Sequence, residues 1–545
     1  MTSWNRGYYS DSIYTCGYYR EMAPIWLDLV ALIQGHIPPR EKEGDPFNYL
    51  ELGCGMGFGL CLLAASYPEA NFLGVDFNPS HIAHATKLAF RLGLSNILFL
   101  EADFLELKAD PSALFINLKP NEGFQYVAAH GIISWVVDAV RDSLLSIASA
   151  CLQPGGIFYC SYNTFPGWLS RTAFQKLYWL ERGRSEKNSI KEPFQRTIDS
   201  LNALLGTEST PTPLGSNYPS LRNDLGWIDL NQPDYLCGEY ANEGWGPNYV
   251  SDIHQSCLDH KLAFLGSATL PDCFEQLLAP SLQDTIFKES NPFIRQTLID
   301  LATNKSFRRD LFVKGFNRLT RSEAEDRFSR LLVTPLEQMP TGPQARDDTQ
   351  AEAESPFAFN TSFGQVLGDP EIYGPVAAEI NAGPCTIEHL QTATGYSIID
   401  LQLILALFLD CSWIAISRRD LAKNTFPVGQ RCNKEIIQLL HSGRPYYYII
   451  LPDAGLGTQF SLIDSLIYRA YVEGLEGDIH SACVLMGLEE LGVHLLDSDK
   501  QPINEPTIKL QRISSFTNAF LSQRLPMLVR LGAFPQKHLN PKGQR

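Results

Sequence analysis

Three glycines at alternate positions, followed by an aspartate at the end of the next apolar run, are the residues whose types and spacing predict chemistry. The stretch "ELGCGMG" places Gly53, Gly55 and Gly57 directly after a short apolar segment, and Asp76 ends "NFLGVD". Glycines keep side chains out of the way, so a backbone loop and the N-terminus of the following helix can both approach a ligand. This pattern predicts a nucleotide-like ligand.

Two ligands compete for such a loop. Dinucleotide loops have the spacing G-x-G-x-x-G, whereas this chain has G-x-G-x-G preceded by Glu51. An acid at that position repels a pyrophosphate but suits a ligand with an ammonium group. S-adenosylmethionine carries an amino acid end and a sulfonium and has no phosphate. We therefore predict S-adenosylmethionine as the cofactor and S-adenosylhomocysteine as its product, with Asp76 accepting hydrogen bonds from both ribose hydroxyls.

A third strand predicted within "FLEADFLEL" supplies the adenine site. It ends in Ala102, Asp103 and Phe104, which offer a carboxylate for the adenine amino group and a ring beside the adenine face. Further predicted cofactor contacts close to the glycine loop and Asp76 are Cys54, Phe77 and Asn78.

The elements that hold these residues are predicted from apolar runs. "YLEL" at 49–52 is a short buried strand, "GLCLLAASY" at 59–67 a helix, and "NFLGVDF" at 71–77 a second strand. Strand, glycine loop, helix and strand form one half of a doubly wound α/β sheet, in which ligands bind at the carboxyl ends of the strands.

Longer stretches resemble a bacterial family. "HGIISWV", "LQPGGIFYCSYNTFPGW", "DIHQSCLDHKLAFLGSATL" and "RRDLFVKGFNRL" are similar to stretches of class I methyltransferases that carry a methyltransferase regulatory domain, including the rickettsial outer-membrane-protein lysine methyltransferases. The resemblance covers almost the whole chain and implies a Rossmann-like, seven-stranded methyltransferase domain. One departure is Gly238, which stands where the family usually has a histidine before "EYL", so no role for that histidine carries over.

The chain is predicted to contain several domains. A lid or cap segment at 1–47 precedes a methyltransferase core at 48–183 and 251–335, interrupted by a helical insertion at 184–250. An amphipathic helix outside a complete sheet needs a partner surface. The resemblance implies that this insertion forms a homodimer, and the alternative is that the insertion packs on its own domain. A polar linker at 336–362, a winged-helix-like middle domain at 363–432 and a mixed α/β C-terminal domain at 433–536 follow.

The methyl acceptor is expected at the carboxyl ends of the fourth and fifth strands. Trp135, Tyr162 and Phe165 are predicted to wall an acceptor channel, and Asn163 offers a carbonyl that can position an amine. His130 is either a proton acceptor or a histidine that hydrogen-bonds to the backbone or the cofactor. Because the sulfonium already activates the methyl carbon, methyl transfer should need only alignment, desolvation and a neutral acceptor. No catalytic triad is expected.

Aromatic residues ahead of the first strand are the candidates for a lid over the cofactor. They are Tyr14, Tyr18 and Tyr19, which otherwise pack an amphipathic first helix. His81 and His84 stand three residues apart and could suggest a metal pair, but no third ligand is apparent in the sequence. We therefore expect no metal, and we expect both histidines to be solvated.

Charge and composition narrow the functional class. The 545 residues include 44 basic and 60 acidic residues, a formal charge of −16, and this balance disfavours nucleic acid as a partner. No apolar run approaches the ~20 residues of a membrane span, and the N-terminal residues lack an apolar signal segment. Twelve cysteines without a C-x-x-C pair are typical of reduced thiols. A cytoplasmic protein is therefore expected.

These features together predict an S-adenosylmethionine-dependent N-methyltransferase, and the resemblance implies lysine side chains of a protein as its substrate. Two alternatives remain: a small-molecule or natural-product methyltransferase, and a regulatory protein whose methyltransferase fold has lost activity. The sequence retains the glycines and the acids expected for cofactor binding, which argues against lost activity.

Overall fold

A computed structural model of the protein describes residues 4–10, 16–40, 42, 44–115, 122–184, 190–231, 233–341, 355–418, 426–497 and 501–539.

A seven-stranded sheet forms the centre of the N-terminal half. Its order is β3-β2-β1-β4-β5-β7-β6; β1 to β5 are parallel, and β7 runs antiparallel to both β5 and β6. This order, with one antiparallel strand, β7, inserted between β5 and the edge strand β6, is that of a class I methyltransferase, which confirms the predicted fold class. The strands are β1 (Asn48–Leu52), β2 (Asn71–Asp76), β3 (Ile97–Glu101), β4 (Phe124–Ala129), β5 (Leu152–Asn163), β6 (Ala263–Ser267) and β7 (Phe307–Val313).

Helices cover both faces of this sheet and build the regions beyond it. In chain order they are α1 (Pro24–Ile33), α2 (Phe58–Ser66), α3 (Pro79–Leu92), α4 (Phe104–Ala109), α5 (Asp138–Cys151), α6 (Arg171–Arg184), α7 (Lys191–Leu205), α8 (Pro213–Asn217), α9 (Pro219–Gly226), α10 (Pro233–Tyr240), α11 (Val250–Asp259), α12 (Pro280–Phe287), α13 (Pro292–Thr303), α14 (Arg321–Ser329), α15 (Pro370–Ala382), α16 (Ile387–Thr394), α17 (Ile398–Asp410), α18 (Phe426–His441), α19 (Leu462–Val472), α20 (Gly477–Glu490), α21 (Pro506–Ala519) and α22 (Leu525–Arg530).

The two sheet faces bury different clusters because side chains alternate along each strand. Tyr49 and Tyr159 point to the face that packs against α1 and α2. Leu50 and Phe158, their immediate neighbours, point to the face that packs against α5 and α11. This alternation fixes which side chains can reach the carboxyl edge of the sheet from either face.

The predicted insertion is helical in its described part. Helices α7 to α10 share an apolar cluster with α6, in which the rings of Tyr178 and Phe194 stack with their centroids 4.0 Å apart. Helix α10 brings its residues back to the carboxyl edge of the sheet, where Tyr235 and Glu239 line a cavity.

Beyond the sheet, short strands organise the C-terminal half. They are β8 (Leu332–Pro335), β9 (Ala358–Thr361), β10 (Gly364–Leu367), β11 (Cys385–Thr386), β12 (Ile414–Ser417), β13 (Tyr448–Leu451) and β14 (Leu456–Gln459). Strand β8 pairs with β11 and β12, β9 forms a hairpin with β10, and β13 forms one with β14. Pairing therefore crosses the predicted boundaries after 335 and 362, and the domain division itself stays a prediction.

The predicted helix pair of the middle region is present as α16 and α17, which are bent by 116° relative to each other. Ser397 caps α17 with a reciprocal bond to Asp400. The described part of the chain has no single helix that is long and apolar enough to cross a membrane; α16 and α17 pass that test only when taken together, by length and composition. The winged-helix assignment stays a prediction.

The C-terminal region packs directly on the glycine-loop side of the sheet. Helix α18 contacts both α2 and α3. The Arg418 guanidinium donates to the carbonyl of Ser66, at the end of α2, at 2.6 Å. The cofactor side of the core is therefore supported by chain that lies several hundred residues away in sequence.

Candidate active site

A cavity of about 410 Å³ opens at the carboxyl edge of β1, β2, β4 and β5. Segments from the N-terminus, the insertion and β7 complete its wall. The lining includes these residues that the sequence predicts: Glu51, Gly53, Cys54, Gly55, Gly57, Asp76, Phe77, Asp103, Phe104, His130, Trp135 and Asn163.

The glycine loop after β1 needs its glycines for two different reasons. Gly53, Gly55 and Gly57 have φ of +78°, +51° and +69°, in the left-handed region that favours glycine. A methyl group on Gly53 would lie 2.4 Å from the Ile132 side chain, whereas one on Gly55 would meet nothing within 4 Å. Gly53 therefore serves packing, and Gly55 leaves the loop open toward the cavity.

Two carboxyl groups flank this loop. Burial, followed by the nearby charge of Asp76, raises the pKa of Glu51 to about 8. Asp76 organises the loop: one of its oxygens accepts from the backbone N–H of Gly55 at 2.9 Å and the other from that of Asn78 at 2.9 Å. A cationic group beside Glu51 would offset the cost of ionising a buried acid.

Beyond Asp76, the cavity wall combines aromatic rings with a third carboxyl group, that of Asp103. Phe77 is flanked by Trp4 and Tyr8, each with its ring centroid 5.6 Å from that of Phe77. Asp103 caps α4 and also accepts from the Arg6 guanidinium at 2.9 Å. The adenine site predicted at Asp103 thus lies beneath an N-terminal segment whose arginine already uses one oxygen of that carboxylate.

His130 stands at the end of β4 in a closed aromatic setting. Its ring stacks on Tyr19 with centroids 3.6 Å apart, and its Nδ1 lies 2.9 Å from the Tyr159 hydroxyl and 3.1 Å from Ser161 Oγ. Burial, followed by the charge of Arg309, lowers the pKa of His130 to about 3. His130 is therefore neutral near pH 7 and a weak base, and this environment favours a hydrogen-bonding histidine over a proton acceptor; its partners are side-chain hydroxyls of the neighbouring strand.

The acceptor side contains residues that the sequence reasoning missed. Trp168, Arg171, Tyr235 and Glu239 all line the cavity beside Trp135. Burial raises the pKa of Glu239 to about 7, and the Arg171 guanidinium opposes that rise. Glu239 and Tyr240 retain the "EY" that follows the usual family histidine, whose place Gly238 takes here. These two residues were the sequence signal that could have identified Glu239 as a site residue.

Several predicted site residues lie elsewhere. Tyr162 does not line the cavity, because alternation along β5 turns it to the opposite sheet face, where its hydroxyl donates to Asp310 at 2.6 Å. Phe165 lies outside the lining as well and packs on Tyr249 with centroids 5.0 Å apart. Asn78 caps α3 instead of facing the cavity.

Ala102 also falls outside the lining; its backbone N–H donates to Asp76 O at 3.1 Å. Tyr14 lies outside the described residues. Tyr18 and Tyr19, the other lid candidates, both line the cavity.

The two histidines of α3 differ from the solvated pair expected from sequence. His81 is only 7% exposed and faces Asp76, with Nδ1 3.3 Å from Asp76 Oδ1. His84 is half-buried: its Nδ1 contacts the Met56 carbonyl at 3.0 Å, and its Nε2 contacts the Tyr446 hydroxyl at 2.7 Å. Both are held by the fold because α3 packs against the glycine loop and the C-terminal region.

The lining fits the predicted cofactor. Two buried polar atoms at the cavity, His81 Nε2 and Trp135 Nε1, have no hydrogen-bond partner within the described structure. The carboxyl group of Glu51 suits the ammonium group of the cofactor. The open glycine loop leaves room for the chain of its amino acid part, and the aromatic rings suit its flat adenine base. The described residues contain no group of three histidine, cysteine or acidic side chains arranged to hold a metal ion.

Comparison with protein families decides the class. Residues 44–197 match a family described as "Methyltransferase domain", and residues 232–314 match one described as "Predicted methyltransferase regulatory domain". The chain is an S-adenosylmethionine-dependent methyltransferase. Glu51, the glycine loop and Asp76 of the methyltransferase are the residues that would hold this cofactor.

Two of the similarities to known proteins extend over nearly all of the methyltransferase. It is 27% identical over 538 residues to an uncharacterized protein of Synechocystis sp., covering 97% of this chain and 99% of that one. The structure of PKMT2 from Rickettsia typhi in complex with AdoHcy matches with a TM-score of 0.65 and 18% identity, covering 94% of this chain and 99% of that one. A shorter similarity, 42% identical over 140 residues, is to a tRNA (guanine-N(7)-)-methyltransferase of Chloroflexus aurantiacus, covering 24% of this chain and 58% of that one.

Proposed function

We propose that this methyltransferase modifies lysine side chains of a protein substrate. The observation that carries the proposal is Glu239, a partly buried carboxyl group that lines the acceptor side of the cavity together with aromatic residues. A lysine ammonium that enters the cavity gains from such a partner, because a cation that leaves water without a counter-charge loses solvation free energy.

The surroundings of Glu239 suit a long, cationic, unbranched side chain. Burial, followed by the charge of Glu239, raises the pKa of Tyr19, and the same two causes raise the pKa of Tyr235 to about 12. Both tyrosines line the cavity together with Glu239. Trp135 and Trp168 supply further ring surface. Aromatic faces attract the ammonium group and so help to bind the cation. Loss of water around the bound side chain acts in the other direction and lowers the pKa of the amine.

The residues can then prepare the acceptor for transfer. The cofactor supplies a methyl group activated by a positive sulfur. Glu239, with a pKa of about 7, can take a proton from the lysine ammonium and leave a neutral amine with a free lone pair. That lone pair forms the N–C bond while the C–S bond breaks and its electron pair stays on sulfur. His130, held neutral, adds no competing positive charge.

The extent of the similarity to a solved structure also supports a protein substrate. The match to PKMT2 of Rickettsia typhi extends beyond the sheet to nearly all of both chains. A methyltransferase for small molecules would not need the middle and C-terminal regions as a docking surface. The tRNA methyltransferase similarity covers about a quarter of this chain, and the formal charge of −16 disfavours RNA as the acceptor.

Labelling with tritiated S-adenosylmethionine tests the proposal. The purified protein is incubated with whole-cell fractions and with an unfolded, lysine-rich protein, alongside the same protein with its lysines acetylated. Label should enter protein, appear as methyllysine after acid hydrolysis, and disappear on acetylation. Label that is confined to RNA or to small molecules would contradict the proposal.

A matched pair of variants connects the result to the site. Glu239→Gln removes the charge and should lower kcat/KM for the protein substrate about 100-fold or more, because a buried ammonium loses its ionic partner. Glu208→Gln, in an exposed loop of the same insertion, should leave kcat/KM unchanged. The wild-type rate should fall below about pH 7, where Glu239 is protonated.

A further inference from the structure

His81 was expected to be a solvated surface histidine, yet it is 93% buried, given its 7% exposure, and lines the cofactor cavity. It lies in the first turn of α3, and its Nδ1 is 3.3 Å from Asp76 Oδ1. Its other ring nitrogen, Nε2, is buried and has no hydrogen-bond partner within the described structure. A buried polar atom without a partner costs free energy unless a ligand satisfies it.

The bonds already made by Asp76 explain why a second acceptor is needed. A carboxylate offers about four acceptor positions, two on each oxygen. Oδ1 accepts from the backbone N–H of Asn78 and faces Nδ1 of His81, while Oδ2 accepts from the backbone N–H of Gly55. One position on Oδ2 remains, which is too few for the two ribose hydroxyls that the sequence assigns to Asp76.

The contact with Asp76 also fixes which tautomer a neutral His81 ring adopts. A carboxylate only accepts, so Nδ1 must carry the hydrogen that it donates to Asp76. In the neutral ring, Nε2 then carries a lone pair and accepts. The pair therefore offers two acceptors at the cavity wall, one oxygen of Asp76 and one nitrogen of His81.

We propose that His81 is a cofactor-binding residue that shares recognition of the ribose diol with Asp76: its Nε2 accepts a hydrogen bond from one ribose hydroxyl, and Asp76 accepts from the other. The assignment rests on the S-adenosylmethionine cofactor and is independent of the methyl acceptor, so it holds or fails separately from lysine methylation.

Binding of S-adenosylhomocysteine and its 2′-deoxy and 3′-deoxy analogues, measured by calorimetry, tests the assignment. In the wild-type protein each missing hydroxyl should weaken binding about 5- to 10-fold, because each leaves a separate buried acceptor without its partner. If either deoxy analogue binds the wild-type protein as tightly as S-adenosylhomocysteine, the shared recognition is refuted, whatever the variants do.

Two amide substitutions separate the two ring nitrogens. His81→Asn retains an amide close to the position of Nδ1 and lacks an equivalent of Nε2, whereas His81→Gln retains an amide close to Nε2. His81→Asn should bind S-adenosylhomocysteine about 5- to 10-fold more weakly and should lose the penalty for one of the two deoxy analogues. His81→Gln should retain most of that penalty. Lys87→Gln, exposed on the same helix, is the control and should match the wild type.

The pattern of losses distinguishes recognition from structure. If His81→Asn is weaker for all three ligands but retains both deoxy penalties, His81 acts only through the fold, and the proposal is overturned. Wild-type affinity in His81→Asn overturns it as well.

Discussion

Cofactor binding should release a proton from Glu51. Burial beside Asp76 raises the pKa of Glu51 to about 8 in the free protein, so at pH 7 about nine-tenths of the molecules carry a protonated Glu51. The ammonium of the cofactor stabilises the ionised carboxylate. Binding of S-adenosylhomocysteine at pH 7 should therefore release about 0.9 proton per site.

The same pKa sets the size of the pH effect. For each pH unit below its pKa, ionising Glu51 costs a further ~1.4 kcal/mol. The affinity for S-adenosylhomocysteine should therefore fall about tenfold from pH 7 to pH 6. Glu51→Gln cannot ionise and should lose this dependence. Above pH 8 it should bind about tenfold or more weakly than the wild type, since a charge-assisted bond contributes about 1.5–3 kcal/mol.

Isothermal titration calorimetry at pH 7, in buffers with different ionisation enthalpies, gives the number of protons released. Glu239→Gln is the control, because it removes the other cavity carboxyl whose pKa is raised, to about 7, and it should retain the release. A wild-type release near zero, a flat affinity between pH 6 and pH 8, or an unchanged release in Glu51→Gln would each refute the reasoning.

Four further substitutions probe the glycine loop, its support and the lid. Gly53→Ala should lower the free energy of unfolding by about 1–3 kcal/mol in denaturant titration, because the new methyl group meets a side chain at 2.4 Å with φ at +78°; an unchanged midpoint would contradict this. Gly55→Ala meets nothing within 4 Å and should mainly weaken S-adenosylhomocysteine binding, and a stability loss as large as that of Gly53→Ala would contradict the assignment. Tyr446→Phe removes the hydroxyl that lies 2.7 Å from Nε2 of His84; it should weaken cofactor binding about 5-fold and speed hydrogen exchange in the glycine loop, and protection equal to the wild type would count against this support. Tyr19→Ala should speed cofactor dissociation in stopped-flow measurements by removing a ring from the cavity wall, and an unchanged dissociation rate would exclude a lid role.

The glycine loop and its flanking acids could be predicted because they are local. Alternating glycines, Glu51 ahead of them and Asp76 at the next strand end constrain one loop between two strands, and periodicity finds those strands. Tyr162 shows where local reasoning stopped: its neighbours in sequence, Ser161 and Asn163, point the other way, and only the pairing of β5 decides which of the alternating faces reaches the cavity.

The sequence alone determined the doubly wound α/β class and the cofactor, since these depend on spacings within about thirty residues. The resemblance to a known family implied the seven-stranded methyltransferase fold. The tertiary structure decided the rest of the site. Glu239 arrives from a helix of the insertion, Tyr19 from the N-terminal segment, and Tyr446 supports His84 from the C-terminal region. No spacing encodes these neighbours, because long-range contacts depend on how whole elements pack, and burial then sets both the partners and the pKa of each group.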